Sequence, residues 1–161
     1  MAAAPESPAP APVVLFDGEC GLCQRLVRWL LRIDRRAVLH FAPLQGPAAQ
    51  EFLRLHGLPV DDFESLVLVR DWSRREDPEA GSASSRQAGP GQGRNFALRT
   101  DGVIAALRAV GATRHAALLA LWPRGWRDAG YRLVARWRHR VCGPWKSSLR
   151  PRPEWAGRFL E

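Results

Sequence analysis

Two of the chain's three cysteines, Cys20 and Cys23, stand where a short apolar run, Val13–Phe16, gives way to a stretch with helical periodicity. Thiol chemistry requires the thiolate, and a free cysteine with a pKa of about 8.5 is mostly protonated at neutral pH. The unpaired N–H groups and the dipole at a helix N-terminus can lower that pKa to roughly 3.5–7.5. The position of Cys20 therefore predicts a reactive thiolate.

The two sulfurs are expected to differ in exposure. On an ideal helical wheel of about 100° per residue, Cys23 falls in the apolar sector that holds Leu26 and Leu30, whereas Cys20 falls at its margin. Dithiol exchange uses such an asymmetry, because an exposed thiolate attacks a substrate disulfide and a shielded thiol then resolves the mixed disulfide. We therefore predict that Cys20 attacks and Cys23 resolves, without a metal or a bound cofactor.

An acidic residue, Asp17, precedes the two cysteines at the end of the apolar run. Its carboxylate is a candidate proton acceptor for the resolving thiol, although a negative charge beside a thiolate also raises the pKa of that thiol. Asp17 and Glu19 also form an acid-x-acid pair at a strand end, the arrangement with which aspartyl phosphatases hold magnesium and form a phosphoaspartate. Glu19 stands where such enzymes carry a second aspartate, and no matching acidic pair is obvious downstream, so the phosphatase interpretation ranks below the redox one.

A metal site is the other interpretation of the cysteine pair. Cys20 and Cys23 together with His139 and Cys142 would supply the four ligands of a tetrahedral zinc site. The chain would then be a zinc-stabilised structural or interaction module. The long separation between the two ligand pairs favours the redox interpretation, and Cys142 alone is expected to be an incidental buried thiol.

The elements that must position these residues follow from periodicity and from turn residues. A buried strand over Val13–Phe16, a helix over Gly21–Ile33 and a second strand at 38–41 predict a parallel pair with a right-handed crossover. A hairpin of two further strands is expected at 65–69 and 95–99, and helices at 47–56, 100–110, Thr113–Leu121 and 126–140. This order predicts an α/β, thioredoxin-like sandwich with a small mixed four-stranded sheet, flanking helices and extra C-terminal helices.

Length and composition limit the organisation of the chain. Its 161 residues, 46% of them hydrophobic, predict one folded domain over residues 13–161. Residues 1–12 are rich in proline and lack basic residues, which predicts a disordered tail and neither a secretory nor a transit signal. A segment at about 71–94, rich in Gly, Ser, Pro and charge, predicts a flexible loop. Because the N-terminal residues resemble no targeting signal, we expect an intracellular, cytoplasmic protein, and since no apolar run approaches the roughly 18 residues of a membrane span, we expect no integral membrane protein.

Basic residues are concentrated towards the C-terminus. The chain has a net charge of +8, and residues 108–161 hold 12 of its 24 basic residues but only three of its 16 acidic ones. Five of the seven tryptophans lie in the same stretch, at Trp122, Trp126, Trp137, Trp145 and Trp155. Tryptophan and arginine on one helix suit an acidic membrane surface, but core packing with an exposed arginine face explains the pattern equally well, so membrane contact is not predicted. No nucleic-acid recognition motif accompanies the charge, and no nucleic-acid partner is expected.

The stretch FDGECGLCQRLVRWLLRIDRR, followed by LHFAPLQG, resembles the DCC family of thiol–disulfide oxidoreductases. That family is named for an Asp-x-x-Cys-x-x-Cys motif, which here is Asp17, Cys20 and Cys23. The similarity continues through SLVLV, LRTDGVIAALRAVG and WPRGWRDAGYRLVARWRHRV, so it spans most of the chain from Val13. It implies a thioredoxin-like fold and exchange with a protein or small-molecule thiol or disulfide, the pair being reduced again by an unidentified electron donor.

The resemblance also suggests where a substrate would bind. Phe41 and Pro43 belong to a family-typical Phe-Ala-Pro-Leu segment. Glu64 and Ser65 precede the strand before which thioredoxins carry a cis-proline, and this chain departs from them in having no proline there, since Pro59 comes too early. We therefore take Phe41, Pro43 and Ser65 as candidate substrate-binding residues. One departure concerns a cysteine that family members often carry after a C-terminal Phe-Gly pair, because here Cys142 takes the place of the phenylalanine and no cysteine follows it. No role is transferred to Cys142.

Overall fold

The computed structural model describes residues 11–60, 66–76, 95–123, 125–127, 129–130, 133–134, 136 and 153–160. Its centre is a four-stranded sheet in the order β2-β1-β3-β4, with β1 at Val13–Phe16, β2 at His40–Pro43, β3 at Val67–Val69 and β4 at Phe96–Leu98. β1 runs parallel to β2 and antiparallel to β3, and β3 pairs antiparallel with β4. The predicted small mixed sheet is confirmed.

Helices cover both faces of this sheet. They are α1 (Gly21–Ile33), α2 (Pro47–Leu55), α3 (Arg99–Ala109) and α4 (Thr113–Leu121). Side chains of a strand point alternately to the two faces, so in β1 Val14 and Phe16 join a core with α1, α3 and α4, while Val13 and Leu15 join a second core with α2. Because the sheet is buried on both faces, the sequences of its strands are unbroken apolar runs. The predicted α/β sandwich is confirmed.

β2 begins at His40, two residues later than the predicted strand at 38–41. The reason lies in the backbone N–H groups of Val38 and Leu39. They donate to the Asp34 carboxylate at 3.1 and 2.8 Å, and so close the turn after α1 rather than joining the sheet. The apolar pattern was correct, but these hydrogen bonds decide where the strand starts.

The C-terminal residues pack along β2, at the edge of the described sheet. A 3-10 helix over Pro153–Arg158 leads to Phe159, which forms a parallel bridge with Phe41. The N–H of Leu160 donates to the carbonyl oxygen of Phe41 at 2.8 Å, and the Arg158 guanidinium forms an ion pair with Asp34. An uncovered strand edge is a site of unwanted pairing, and this segment covers it.

Several predictions fall partly outside the described residues. Of the predicted loop at 71–94, residues 77–94 are not described, but Trp72 lies in a 3-10 helix (Trp72–Arg74) and is buried in the second core. That end of the loop is therefore structured, contrary to the prediction. Residues 1–10 of the predicted tail and 137–140 of the last predicted helix are also outside, while the described residues from 125 to 136 are helical. Among the described residues, no helix combines the length and the hydropathy that crossing a bilayer requires.

Candidate active site

Cys20 occupies the N-cap position of α1, as its place in the sequence predicted. Its backbone is extended, with φ −87° and ψ 112°, and the helix begins at the next residue. Its Sγ accepts the backbone N–H of Cys23 at 3.4 Å. This N–H is one of the first four in the helix, which have no partner inside it and favour a negative charge. The first turn of α1 contains no acidic side chain that would offset this effect.

The burial of the two cysteines is the reverse of the prediction. Cys20 is only 3% exposed, whereas Cys23 is half-buried at the margin of the first core. The helical wheel applies to residues inside the helix, but the side chain of an N-cap residue folds back over the first turn to reach its N–H groups. Capping therefore draws the sulfur of Cys20 inwards.

Asp17 lies beneath this helix start and is 6% exposed. Its Oδ1 accepts the Nε2–H of Gln45 at 2.8 Å and the backbone N–H of Glu19 at 3.0 Å, while its carbonyl oxygen accepts the N–H of Cys20 at 3.3 Å. The Oε1 of Gln45 accepts the N–H of Gly18 at 3.1 Å. One amide thus holds both the carboxylate and the turn that leads to Cys20.

The turn between β1 and α1 is also held from the helix side. Gln24 is buried, and its Nε2 donates to the carbonyl oxygen of Gly18 at 2.6 Å. The space around Gly18 is narrow, because a Cβ at that position would lie 3.1 Å from the Oε1 of Gln45. Sequence patterns did not single out Gln24 or Gln45. The signal available for Gln45 was its place in the Pro-Leu-Gln-Gly segment that follows the second strand.

A known family matches the stretch of chain that contains these residues. The sequence profile of the DCC1-like thiol-disulfide oxidoreductases matches residues 14–144, which contain Asp17 and both cysteines of the described site. The chain belongs to the DCC1-like thiol-disulfide oxidoreductase family. The resemblance noted from the motif is confirmed.

Two relatives place this DCC1-like chain among known proteins. It is 27% identical over 151 residues to the uncharacterized protein YuxK of Bacillus subtilis, covering 94% of this chain and 95% of that protein. It is 38% identical over 60 residues to the chloroplastic DCC family protein At1g52590 of Arabidopsis thaliana, covering 37% of this chain and 35% of that protein. No solved structure matches the chain.

The candidate substrate-binding residues of this DCC1-like protein fall in different places. Phe41 is fully buried, and its ring stacks on that of Phe159 at a centroid distance of 5.7 Å, so this side chain packs in the core and its substrate-binding role stays a prediction. Pro43 is half-buried at the end of β2, and a Cβ built on Gly18 would lie 3.5 Å from its Cβ. Pro43 thus lies beside the active-site turn, and its binding role stays a prediction. Ser65 lies outside the described residues.

The magnesium and zinc interpretations of these residues can be compared with the described structure. Within the described parts of this DCC1-like chain, no three His, Cys, Asp or Glu side chains are grouped as a metal site would require. Asp17 is buried with its Oδ1 accepting two hydrogen bonds, whereas Glu19 is exposed, so the two side chains differ sharply in environment. The zinc alternative needs His139 and Cys142, which lie outside the described residues, and it stays open.

Proposed function

We propose that this chain exchanges disulfides through Cys20 and Cys23, with Cys20 as the attacking thiolate and Cys23 as the resolving thiol. The observation that carries the proposal is the hydrogen bond from the Cys23 N–H to the Sγ of Cys20 at the start of α1. A sulfur that accepts a backbone N–H at a helix N-terminus is stabilised as an anion, and the thiolate is the nucleophile in exchange. The family's activity supports the same chemistry.

The exchange proceeds in two balanced steps. The Cys20 thiolate attacks one sulfur of the substrate disulfide, forming a mixed disulfide and releasing the other substrate sulfur, which takes up a proton. Cys23 then loses its proton and attacks the sulfur of Cys20, which releases the second substrate thiol and leaves a Cys20–Cys23 disulfide. Two electrons have passed from the chain to the substrate. An external thiol donor must return them before the next cycle.

Asp17 is the proposed proton acceptor for the resolving step. Its carboxylate is buried at the base of the turn that carries Cys20, and the Gln45 amide holds it in one orientation. Asp17→Asn keeps the shape and the acceptor oxygen but removes the basic group, so we expect the mixed disulfide to persist longer. Glu19→Gln is the matched control, since it makes the same change at an exposed side chain two residues away. Equal resolution rates in the two variants would remove Asp17 from the mechanism.

Substrate access follows from the burial of Cys20. Because Cys20 is 3% exposed, the substrate disulfide must approach over the more exposed side of the first turn, where Leu22 is 36% exposed and Cys23 is half-buried. Thiolate stabilisation favours Cys20 as the attacking group, and exposure favours Cys23. Trapping distinguishes the two assignments, because only a variant that lacks the resolving thiol accumulates a mixed disulfide.

The experiment uses purified full-length protein with insulin as the disulfide substrate and dithiothreitol as the electron donor. Cys20→Ser should abolish insulin reduction, Cys23→Ser should trap the mixed disulfide, and Cys142→Ser is the control that should keep full activity. Alkylation of Cys20 against pH should show a midpoint below the value of about 8.5 for free cysteine. Full activity in both Cys20→Ser and Cys23→Ser, or one zinc per chain held by these thiols, would contradict the proposal.

A further inference from the structure

An apolar surface lies at the end of α4 and just beyond it. Leu118 is 65% exposed, Leu121 80%, Trp122 59% and Trp126 70%. Leu118 and Leu121 are three positions apart and share one side of α4, Trp122 follows directly at its C-cap, and the rings of Trp122 and Trp126 lie 6.3 Å apart. We call these four residues the α4 patch. Single exposed apolar side chains are ordinary, but a contiguous group with two tryptophans marks an interaction surface.

The α4 patch is not the side of the helix that faces the core. α4 packs on the first core through Ala116, which is 1% exposed, and through the partly buried Leu119. The sequence left two explanations for the C-terminal tryptophans, core packing and an acidic surface. Core packing accounts for Trp155, which contacts the first core, but not for Trp122 or Trp126.

The charge around the α4 patch indicates what it would bind. Residues 108–161 of the sequence hold 12 basic and three acidic residues, and on α4 itself the exposed Arg114 precedes Leu118 by four positions, on the same side of the helix. Asp101, an acidic residue of the neighbouring α3, is already paired with Arg127 at 3.1 Å. A second copy of this chain brings the same net charge of +8, so charge complementarity does not favour it. A partner rich in negative charge is complementary to this region.

We propose that the α4 patch binds the surface of membranes that contain anionic lipids. Leucine and tryptophan suit the boundary between headgroups and acyl chains, where an indole ring keeps its N–H at the polar level. Arg114, one turn before Leu118, would pair with a lipid phosphate, and each basic residue near an anionic surface adds to the attraction. An acidic protein would match the charge, but exposed leucines and paired tryptophans match a lipid boundary better.

Co-sedimentation of the full-length protein with large vesicles tests the proposal. One set of vesicles is phosphatidylcholine alone, and the other contains about one third phosphatidylglycerol. We expect the protein to sediment with the anionic vesicles and much less with the neutral ones, and added salt to weaken binding. Leu121→Glu places a charge at the most exposed position of the patch and should reduce binding about tenfold or more.

Leu55→Glu is the matched control. Leu55 is 46% exposed and belongs to α2, on the opposite face of the sheet, so this variant should bind like the unmodified protein. Trp126→Ser serves as a second patch variant, and circular dichroism checks that each protein folds. The proposal is overturned if the unmodified protein does not bind anionic vesicles or if both patch variants bind equally well. A dimer of the unmodified protein that Leu121→Glu abolishes, with no binding to vesicles, would also overturn it, because the patch would then be a contact between two copies.

Discussion

Replacing Arg158 by glutamine should remove a large part of the protein's stability. The Arg158 guanidinium forms an ion pair with Asp34 and donates to the carbonyl oxygen of Leu39 from Nε at 2.9 Å and from Nη2 at 2.8 Å. It also lies over the Phe41 ring, 5.5 Å from the centroid. The two charged side chains are nearly out of solvent, since Arg158 is 11% exposed and Asp34 only 1%. Loss of the guanidinium would leave the buried Asp34 carboxylate without its counter-charge.

The expected loss of stability in Arg158→Gln follows from the burial of this ion pair. Removing one partner of a buried ion pair typically costs about 3–5 kcal/mol, because the remaining charge is left uncompensated. Asp34 keeps the N–H groups of Val38 and Leu39, so we expect the lower end, about 3 kcal/mol. For a domain of this size, that loss corresponds to a decrease in Tm of roughly 6–12 °C.

Urea denaturation of the purified protein measures the effect. The control is Arg75→Gln, which breaks an ion pair with Glu76 in which the side chains are 35% and 67% exposed. An exposed pair contributes about 0–1 kcal/mol, so the control should unfold close to the unmodified protein. If Arg158→Gln costs no more than the control, the backbone donors alone satisfy Asp34 and our reasoning is wrong.

Three further predictions concern a glycine contact, a histidine and the Gln45 amide. A Cβ at Gly102 would lie 2.9 Å from a carbonyl oxygen of β4, so Gly102→Ala should cost about 1–3 kcal/mol in urea denaturation, whereas Gly125→Ala, which meets open space, should not. An equal loss of stability in Gly102→Ala and Gly125→Ala would show that the contact at Gly102 is not crowded. Burial and a neighbouring guanidinium lower the pKa of His40 below its ordinary 6.5, so the unfolded chain binds the proton first as pH falls. Stability should therefore decline below about pH 6.5, and His40→Gln should flatten this decline in unfolding curves measured across pH; parallel profiles would contradict it. Gln45→Leu should lower stability by about 1–3 kcal/mol, because the buried carboxylate of Asp17 loses a donor, and it should slow the resolving step, because that carboxylate is no longer held in one orientation. Unchanged resolution kinetics would show that the Gln45 amide does not position that carboxylate.

Local patterns in the sequence were sufficient to predict the strands, the helices and the small mixed sheet. The unbroken apolar run Val13–Phe16 indicated a strand buried on both faces, and the change to helical period placed Cys20 at the start of α1. The order of strands and helices then limited the sheet to a parallel pair and an antiparallel pair. These predictions succeed because backbone hydrogen bonding and side-chain periodicity act over a few neighbouring residues.

The environment of the site was decided by tertiary structure. The wheel placed Cys20 at the margin of the apolar sector, but capping and packing left it 3% exposed. Gln45 reaches Asp17 across 28 positions, and Arg158 reaches Asp34 across 124. Such contacts form only when the helices and strands pack together. The periodicity of one element does not indicate which distant side chain will contact that element. The sequence by itself determined which sulfur begins the helix, and only the folded chain decided what surrounds it.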